Sequence, residues 1–514
     1  MGGRHLWIEW KKMRETSITA NIIANFVGKV WSVIMGLIFI PLYIRFMGIE
    51  AYGLIGVFVS LVTLFTILDM GLSSTLSREL ARLSTSRDSR QESRDLVRTL
   101  ECVYWGVGVV VGFTLVMLAP LIAQHWIKTE GIPSQTVQQA LMIMGLIVAV
   151  QWPVALYDGG LVGLQQQVLL NRIRIGVATI QNGGAVLVLW LISPTITVYF
   201  TWQIFVGLMQ VVLLACFLWK CLPEANNRGV FRKTLLKKNW RFAAGMMSIS
   251  ITSIILTQTD KIILSRILPL AGFGYYTLAF NLASALSLLV NPVFLAMFPK
   301  LSQLNSGEAN ENIVSDYYHK ACQVVSIATV PAACILALFS HQILLLWFRD
   351  SIIAQNTDTL LRVLVIGSLL NAIMTMPFTL QLAYGWTKLT FVKNVIAVIV
   401  LIPLMIWLTN LYGAIGAAIV WIILNAGYFV VEVPIMHGRV LKREMWRWYL
   451  QDVGMPLCTV LIVVVLSRIL MPDIRSLYLS LMWILATGLL AMLSSMLAVP
   501  ITRKWCKRSV ALMR

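Results

Sequence analysis

About fourteen long apolar segments follow one another along the chain, each close to the roughly 20 residues that cross a bilayer as a helix. Short stretches rich in polar and basic residues separate them. The pattern therefore predicts an all-α integral membrane protein with about fourteen transmembrane helices. The predicted spans are 21–46, 51–75, 99–124, 137–160, 168–193, 197–219, 242–268, 270–298, 313–338, 358–385, 387–409, 411–436, 451–471 and 477–500.

Composition excludes a soluble globular protein, because 58% of the 514 residues are apolar and 12% are charged, against about 25% charge in soluble domains. The net charge of +19 raises nucleic-acid binding as an alternative. Most lysines and arginines, however, lie in those loops that share a side with the N-terminus. Short cytoplasmic loops retain positive charge, so we expect both termini in the cytoplasm and no nucleic-acid partner.

An internal repeat relates residues 45–83 to residues 266–304 at a constant offset of 221, with Arg45 on Arg266 and Gly53 on Gly274. Six predicted spans precede the basic break at 221–241, and six more follow it. An even number of spans per repeat makes the two repeats parallel. We therefore predict two pseudo-symmetric six-helix bundles plus two C-terminal helices.

The predicted organisation favours a transporter, because two bundles that rock against each other give alternating access to a central site. Its parts are a cytoplasmic N-terminal segment (1–20), an N-lobe of helices 1–6 (21–220), a basic cytoplasmic linker (221–241), a C-lobe of helices 7–12 (242–436), a basic cytoplasmic loop (437–450), helices 13–14 (451–500) and a basic cytoplasmic tail (501–514).

Several short motifs resemble one family over most of the chain. The stretch 46–54 (FMGIEAYGL), then 68–72 (LDMGL) and 77–81 (SRELA), resembles the opening of the Wzx-type polysaccharide transporters, the flippases of O-antigen and capsule assembly. Residues 260–264 and 273–276 look like the start of that family's second lobe, and residues 412–417 resemble its twelfth helix. The family belongs to the multidrug, oligosaccharidyl-lipid and polysaccharide exporter superfamily.

The resemblance implies a flippase of the bacterial inner membrane. Its substrate would be an undecaprenyl-diphosphate-linked oligosaccharide repeat unit, moved from the cytoplasmic to the periplasmic leaflet for O-antigen, capsule or exopolysaccharide assembly. Membrane lipid and other polysaccharide-assembly membrane proteins are the implied partners. The coupling ion stays open between protons and sodium, and no cofactor is expected.

Lys29 and Asp69 are the deepest charges of the first two predicted helices, at about 12 Å and 9 Å from the same surface by helical rise. Their similar depth allows an ion pair that neutralises both. The alternative is that Lys29 faces the central cavity and binds the substrate diphosphate, with Asp69 as counter-ion or coupling group. A compact ammonium binds phosphate well, most strongly where the dielectric constant is low.

Other ionisable residues in the predicted spans are candidates for coupling or for helix ends. Asp158 lies near the inner surface. Asp260 and Lys261 are neighbours about 100° apart on helix 7, so we expect one to face the cavity and the other to pair with a neighbour or reach the interface. The alternative is a purely structural pair. Three further charges lie within about a turn of helix ends and are expected to reach water: Glu101, Arg362 and Glu432.

Arg45 and Arg266 mark the outer ends of helices 1 and 7, where they would anchor the interface or receive the diphosphate at the periplasmic exit. Uncharged amides near mid-span would either bond between helices or line the sugar path: Gln181, Asn182, Asn281, Asn371 and Asn425.

Two other functions compete with a flippase. A cation-coupled multidrug exporter of the same fold would need a cavity dominated by acids. A membrane glycosyltransferase or polymerase would need a catalytic acid or base beside a sizeable outer loop, and the longest predicted outer loop, 339–357, holds just His341, Arg349 and Asp350. We therefore expect a transporter and not an enzyme.

Overall fold

The computed structural model describes residues 18–69, 71–83, 90–225, 227–306, 311–472, 476–500 and 502. The described residues form helices joined by short turns, and the one β-bridge among them pairs Lys128 with Pro269. The predicted all-α class is confirmed.

The first of two compact units is Met1–Gly274. Its core combines leucines and tyrosines of several helices, including Leu76, Leu100 and Tyr157. The helices are α1 (Ile18–Ile38), α2 (Ile40–Phe65), α3 (Leu72–Leu83), α4 (Arg90–His125), α5 (Ser134–Gln151), α6 (Val154–Gly163), α7 (Gln167–Leu191), α8 (Ile196–Cys221), α9 (Lys233–Ile267) and the start of α10 (Leu270–Ser284).

The second unit is Tyr275–Arg514, and its core includes Tyr318, Leu380 and Trp448. Two π-helical turns, Tyr428–Glu432 and Trp448–Gly454, interrupt its helices. After α10 these are α11 (Ser287–Ser306), α12 (Glu311–Leu338), α13 (Ser340–Phe348), α14 (Ser351–Ala383), α15 (Thr387–Tyr412), α16 (Ala414–Gly427), α17 (Val433–Arg439), α18 (Met455–Ile469) and α19 (Leu477–Ala498).

Every predicted span coincides with helix in the described residues. Eleven helices there are long and apolar enough to cross a membrane, or up to twelve if α10 and α11, which bend by 40° at their junction, form one span. The chain is thus a multi-pass membrane protein. The predicted total of fourteen and the lobe boundaries at 221–241 stay predictions, and the division between the compact units falls later, within α10.

Glycines with positive φ mark three predicted boundaries between spans. Gly48 (φ 86°) interrupts the helical geometry of α2 where the loop between the first two spans is predicted. Gly385 (φ 66°) and Gly413 (φ 60°) precede α15 and α16. These backbone conformations strain residues that carry a Cβ atom, so glycine suits the breaks in helical geometry at these positions.

Helices α2 and α10 approach closely at two glycines that are equivalent in the repeat. A Cβ atom built on Gly53 would collide with the carbonyl oxygen of Leu270. One built on Gly274 would lie 2.5 Å from the carbonyl oxygen of Ile49. Because the blocking atoms belong to the backbone, both positions require glycine.

The connection between α8 and α9 is fixed to the side of α4. The buried carboxylate of Asp95 accepts a hydrogen bond from the backbone N–H of Val230 at 2.9 Å and an ion pair from Arg232 at 2.6 Å. Arg94 donates to the carbonyl oxygen of Pro223 at 3.0 Å. Part of the basic linker therefore neutralises an acid of the same unit.

Candidate functional site

Lys29 lies on a face of α1 that is made of small and polar residues. Asn25 is four residues before Lys29, Ser32 is three residues after it and Gly36 is seven residues after it. Residues at these spacings share one face of a helix. Lys29 itself is exposed. The other side of α1 exposes apolar side chains: Ile23, Val27, Ile34 and Ile38.

A side of α1 next to this polar face packs along α7, and the two helices run in the same direction. Asn25 donates to the side-chain oxygen of Gln167 at 2.6 Å and accepts from Asn171 at 2.5 Å. Further along both helices, Trp31 donates to the hydroxyl of Thr179 at 3.0 Å. These bonds fix the register of α1 on α7.

This register brings a second cation to the height of Lys29. Gly28 abuts the side chain of Asn171 so closely that a Cβ atom there would collide with it. Lys29 and Arg172 each follow one of these two residues, and both are exposed. Within the described part of the chain, no ion pair joins either cation to an acid. Two uncompensated positive charges therefore lie at one level of the first unit.

Most of the predicted mid-span amides bond between helices. Tyr43 donates to the side-chain oxygen of Asn182 at 3.2 Å, and Gln181 donates to Gln203 at 2.7 Å. In the second unit, Asn371 donates to Asn425 at 2.9 Å. This is the common use of amides in membrane helices. Asn281 also has an interaction partner.

Asp69 is held by neutral donors at the end of the short 3-10 turn that follows α2. Ser73 donates to its carboxylate at 2.8 Å, and the hydroxyl of Tyr104 donates to the other oxygen. The predicted ion pair with Lys29 is wrong, because equal depth does not make helices neighbours. Lys29 is on the helix that packs along α7, whereas Asp69 lies beside α4.

Two other acids of the first unit are also engaged. Asp158 forms an ion pair with Arg174 at 2.6 Å. Glu101 accepts from the Tyr157 hydroxyl at 2.6 Å and from Arg98 at 2.8 Å. Because Glu101 is buried inside the unit, the expectation that it reaches the interface is wrong.

Asp260 and Lys261 contact each other, with 3.3 Å between ammonium and carboxylate. Lys261 also donates to the carbonyl oxygen of Thr257, one turn earlier, at 3.1 Å. The lysine chain curls back along α9, and the contact fits the alternative of a structural pair. Both side chains have further interactions, so neither is a free charge.

The two repeat-related arginines differ in their surroundings. Arg266 stacks over the ring of Trp126, with 5.4 Å from the guanidinium carbon to the ring centroid, a cation–π contact. Arg45 is exposed near the turn at Gly48. The contact with Trp126 fits an interfacial anchor for Arg266, and the exit role predicted for both stays a prediction.

Outside the apolar spans, the amphipathic helix α3 carries a compact charge cluster. Glu79 is buried under Arg78 at 2.8 Å and Arg82 at 2.9 Å. Burial favours the protonated acid, but the hydrogen bonds from Arg82 and Arg78 outweigh it and hold the pKa of Glu79 below its ordinary value. Glu79 is therefore ionised at neutral pH.

The second unit contains a buried ion pair that the sequence does not reveal. Lys393 of α15 contacts Glu432 at 2.5 Å, and Gln381 donates to the other carboxylate oxygen at 2.6 Å. Glu432 is 2% exposed, so the expectation that it reaches the interface is wrong. Arg362 is exposed and pairs with Asp358 at 2.7 Å, and its expected contact with water stays a prediction.

The fold is similar to that of two solved membrane proteins. The structure "Lipid II flippase MurJ, inward closed conformation" is similar with a TM-score of 0.69 and 16% identity, covering 97% of this chain and all of that one. An inward-facing multidrug resistance MATE family transporter of the MOP superfamily is similar with a TM-score of 0.63 and 14% identity, covering 80% of this chain and 94% of that one.

Sequence comparison then gives the family. The family model described as "Polysaccharide biosynthesis protein" matches residues 18–305. That is more than half of the chain, so the chain belongs to the polysaccharide biosynthesis protein family. The predicted resemblance to polysaccharide transporters of this superfamily is confirmed.

Two relatives have names that refer to O-antigen or lipopolysaccharide. An O-antigen transporter of Shigella flexneri is 23% identical over 407 residues, which cover 79% of this chain and 94% of the relative. The "Lipopolysaccharide biosynthesis protein WzxC" of Escherichia coli (strain K12) is 24% identical over 216 residues, covering 41% of this chain and 43% of that protein. These relatives support a role in polysaccharide export.

Proposed function

We propose that this protein is a flippase that moves undecaprenyl-diphosphate-linked oligosaccharide repeat units from the cytoplasmic to the periplasmic leaflet by alternating access. It would act in the bacterial inner membrane with fourteen spans, two six-helix lobes and both termini in the cytoplasm. The observation that carries the proposal is the exposed Lys29 on the polar face of α1, in a member of a polysaccharide biosynthesis family. Arg172 is exposed at the same height on α7, and neither cation has an ion pair among the described residues.

A diphosphate headgroup fits these two cations by chemistry. Each phosphate carries negative charge and several acceptor oxygens, and both a lysine ammonium and an arginine guanidinium bind such groups. The apolar stripe on the other side of α1 suits hydrocarbon. The lipid tail would therefore stay in the bilayer while Lys29 and Arg172 bind the headgroup.

The other predicted residues have subordinate roles in this proposal. Arg45 and Arg266 would receive the diphosphate on the periplasmic side, with Lys261 near the path. Asp69, Asp158 and Asp260 remain proposed coupling groups for protons or sodium ions. Their neutral or cationic partners would have to release them during transport.

The competing functions have less support. A multidrug exporter for cationic drugs needs free acids, yet Asp69, Asp158 and Glu101 all have partners. For an enzyme, the acid of the predicted outer loop is Asp350. Its carboxylate caps α14 by accepting from the backbone N–H of Ile352 and Ile353, which is a structural role.

The test replaces Lys29 by Gln and by Arg, and Arg172 by Gln and by Lys, and measures cell-surface polysaccharide at matched protein levels. A lost charge-assisted bond costs about 1.5 to 3 kcal/mol, so each Gln variant should reduce export by roughly tenfold or more. The charge-conserving variants should retain most of it. Lys320→Gln is the control, because that exposed lysine already pairs with Asp316 at 2.5 Å. Wild-type export in both Lys29→Gln and Arg172→Gln would refute the site.

A further inference from the structure

A buried histidine of the second unit lies between two acids. His319 belongs to α12, Asp452 to the π-helical turn Trp448–Gly454, and Glu444 to the stretch that leads into this turn. The side chains of His319 and Asp452 are 1% and 0% exposed, whereas that of Glu444 is 27% exposed. The trio therefore extends from the surface of the unit into its core.

Both ring nitrogens of His319 face carboxylate oxygens. Nδ1 contacts Oδ2 of Asp452, and Nε2 lies 3.2 Å from Oε2 of Glu444. The acids have further donors: Gln323 donates to Asp452 at 2.8 Å, and Ser315 donates to Glu444 at 3.1 Å. The geometry is that of a carboxylate–imidazole–carboxylate chain.

The number of protons shared by His319, Asp452 and Glu444 follows from the hydrogen bonds that the three side chains can make. A neutral imidazole has one N–H donor and one acceptor nitrogen, and an ionised carboxylate only accepts. With a carboxylate at each nitrogen, one of the two contacts would join two acceptors. Satisfying both requires one more proton than a neutral histidine and two carboxylates possess, and an unsatisfied buried polar contact is costly.

We propose that His319, Asp452 and Glu444 form a proton-binding site whose exchangeable proton docks residues 444–454 onto α12. The proton would enter through Glu444, which lies outside the apolar spans, and would be held between His319 and the fully buried Asp452. Loss of this proton would leave two acceptors facing each other inside the unit, and the π-helical turn would separate from α12.

The ionisation of Glu444 agrees with its role as an acceptor at Nε2 of His319. Partial burial favours its protonated form, but the charge of His319, the hydrogen bond from Ser315 and the nearby Arg447 outweigh burial and lower the pKa of Glu444. Glu444 is thus a carboxylate at neutral pH.

The trio has a defined set of titratable and charged neighbours. The ring of Tyr318 makes T-shaped contacts with His437 of α17 and with His319, with ring centroids 5.7 Å and 5.3 Å apart. The groups that face the trio from α12, α17 and the π-helical turn are Tyr318, Cys322, His437, Arg447 and Tyr449. On the outer side of α12, Lys300 of α11 and Lys320 lie over the ring of Tyr317.

Amide substitutions separate a proton site from a purely structural contact. In Asp452→Asn, the new amide can donate to Nδ1 while Nε2–H donates to Glu444. In Glu444→Gln, the amide donates to Nε2 while Nδ1–H donates to Asp452. Either variant satisfies both ring nitrogens with a neutral imidazole, so the contacts persist and the extra proton is no longer needed.

The experiment is hydrogen–deuterium exchange of the purified full-length protein in detergent, between about pH 6 and pH 10, corrected for the intrinsic pH dependence of exchange. Opening linked to loss of one proton should raise the corrected exchange of peptides from 444–454 by about tenfold per pH unit above its midpoint. Both amide variants should flatten this dependence. Asp316→Asn is the matched control, because Asp316 is a half-exposed acid of the same helix.

A dependence that is unchanged in both amide variants, or that is absent from the wild type, overturns the proposal. So does its loss in Asp316→Asn. If Asp452→Asn fails to fold, the partly exposed Glu444→Gln gives the same comparison. The measurement monitors the opening of one segment and not polysaccharide export, so its outcome is independent of the proposed flippase function.

Discussion

The stability of the second unit should depend strongly on the buried ion pair of Lys393 and Glu432. Lys393→Met removes the ammonium but keeps most of the side-chain volume. It leaves a carboxylate that is 2% exposed, with Gln381 as its remaining hydrogen-bond donor among the described residues. It also removes a cation–π contact, since Nζ lies 4.4 Å from the centroid of the Tyr428 ring.

The expected cost is large because one partner of a buried pair is lost. Breaking such a pair destabilises proteins by about 3 to 5 kcal/mol, roughly two to three and a half orders of magnitude in the unfolding equilibrium. Neutralising the acid as well, in Lys393→Met with Glu432→Gln, should recover much of this loss. A neutral amide can still bond to Gln381 and needs no counter-charge.

The assay is thermal and denaturant unfolding of the purified protein in one detergent, for the wild type, both single variants and the double variant. The double-mutant cycle isolates the interaction between the two side chains. Lys320→Met is the control, because its half-exposed pair should contribute about 0 to 1 kcal/mol. A Lys393→Met protein as stable as the control, or a cycle without coupling energy, would refute the reasoning.

Two further predictions concern the first unit. Gly53→Ala should lower the folded yield and the melting temperature, because its Cβ atom would meet a backbone carbonyl. Gly106→Ala is the control and should change both quantities little, because a Cβ atom there has nothing within 4 Å. Equal behaviour of the two variants would contradict the close approach of α2 and α10. The folded-state pKa of Glu79 is lowered. The stability that its ionised carboxylate gives to the fold is therefore complete above the ordinary pKa of 4.5, and it is lost as pH falls through the lower folded-state pKa. The stability difference between wild type and Glu79→Gln, of the order of 1 kcal/mol, should therefore shrink on acidification, and a difference independent of pH between 7 and about 3 would contradict it.

Helix positions could be predicted from the sequence because each apolar segment must satisfy its own backbone within the membrane. The turns at Gly48, Gly385 and Gly413 also have a local signal. Two features lack one. Helix α13 lies in a predicted loop, since nine residues are too short for a hydropathy pattern, and the helix predicted over 137–160 divides at Pro153 into α5 and α6.

The sequence predicts how deep a charged residue lies within a predicted span. It does not identify the helix that packs beside that residue. Lys29 is exposed on a polar face, as one of its two interpretations requires, yet α1 packs along α7 and not beside Asp69. Arg172 was missed because it lies one turn inside a predicted helix end, where an interfacial role is ordinary. His319 and Asp452 are 133 residues apart, so no spacing rule joins them.

The attachment of residues 222–232 to α4 has a mechanical consequence. A connection held at Asp95 and at the Pro223 carbonyl cannot lengthen or swing freely, so it does not serve as a flexible tether between the repeats. Because Val230 and Arg232 directly precede α9, these contacts also tie the start of α9 to α4. The contacts at Pro223, Val230 and Arg232 therefore restrict the connection more than a free linker of the same length would be restricted.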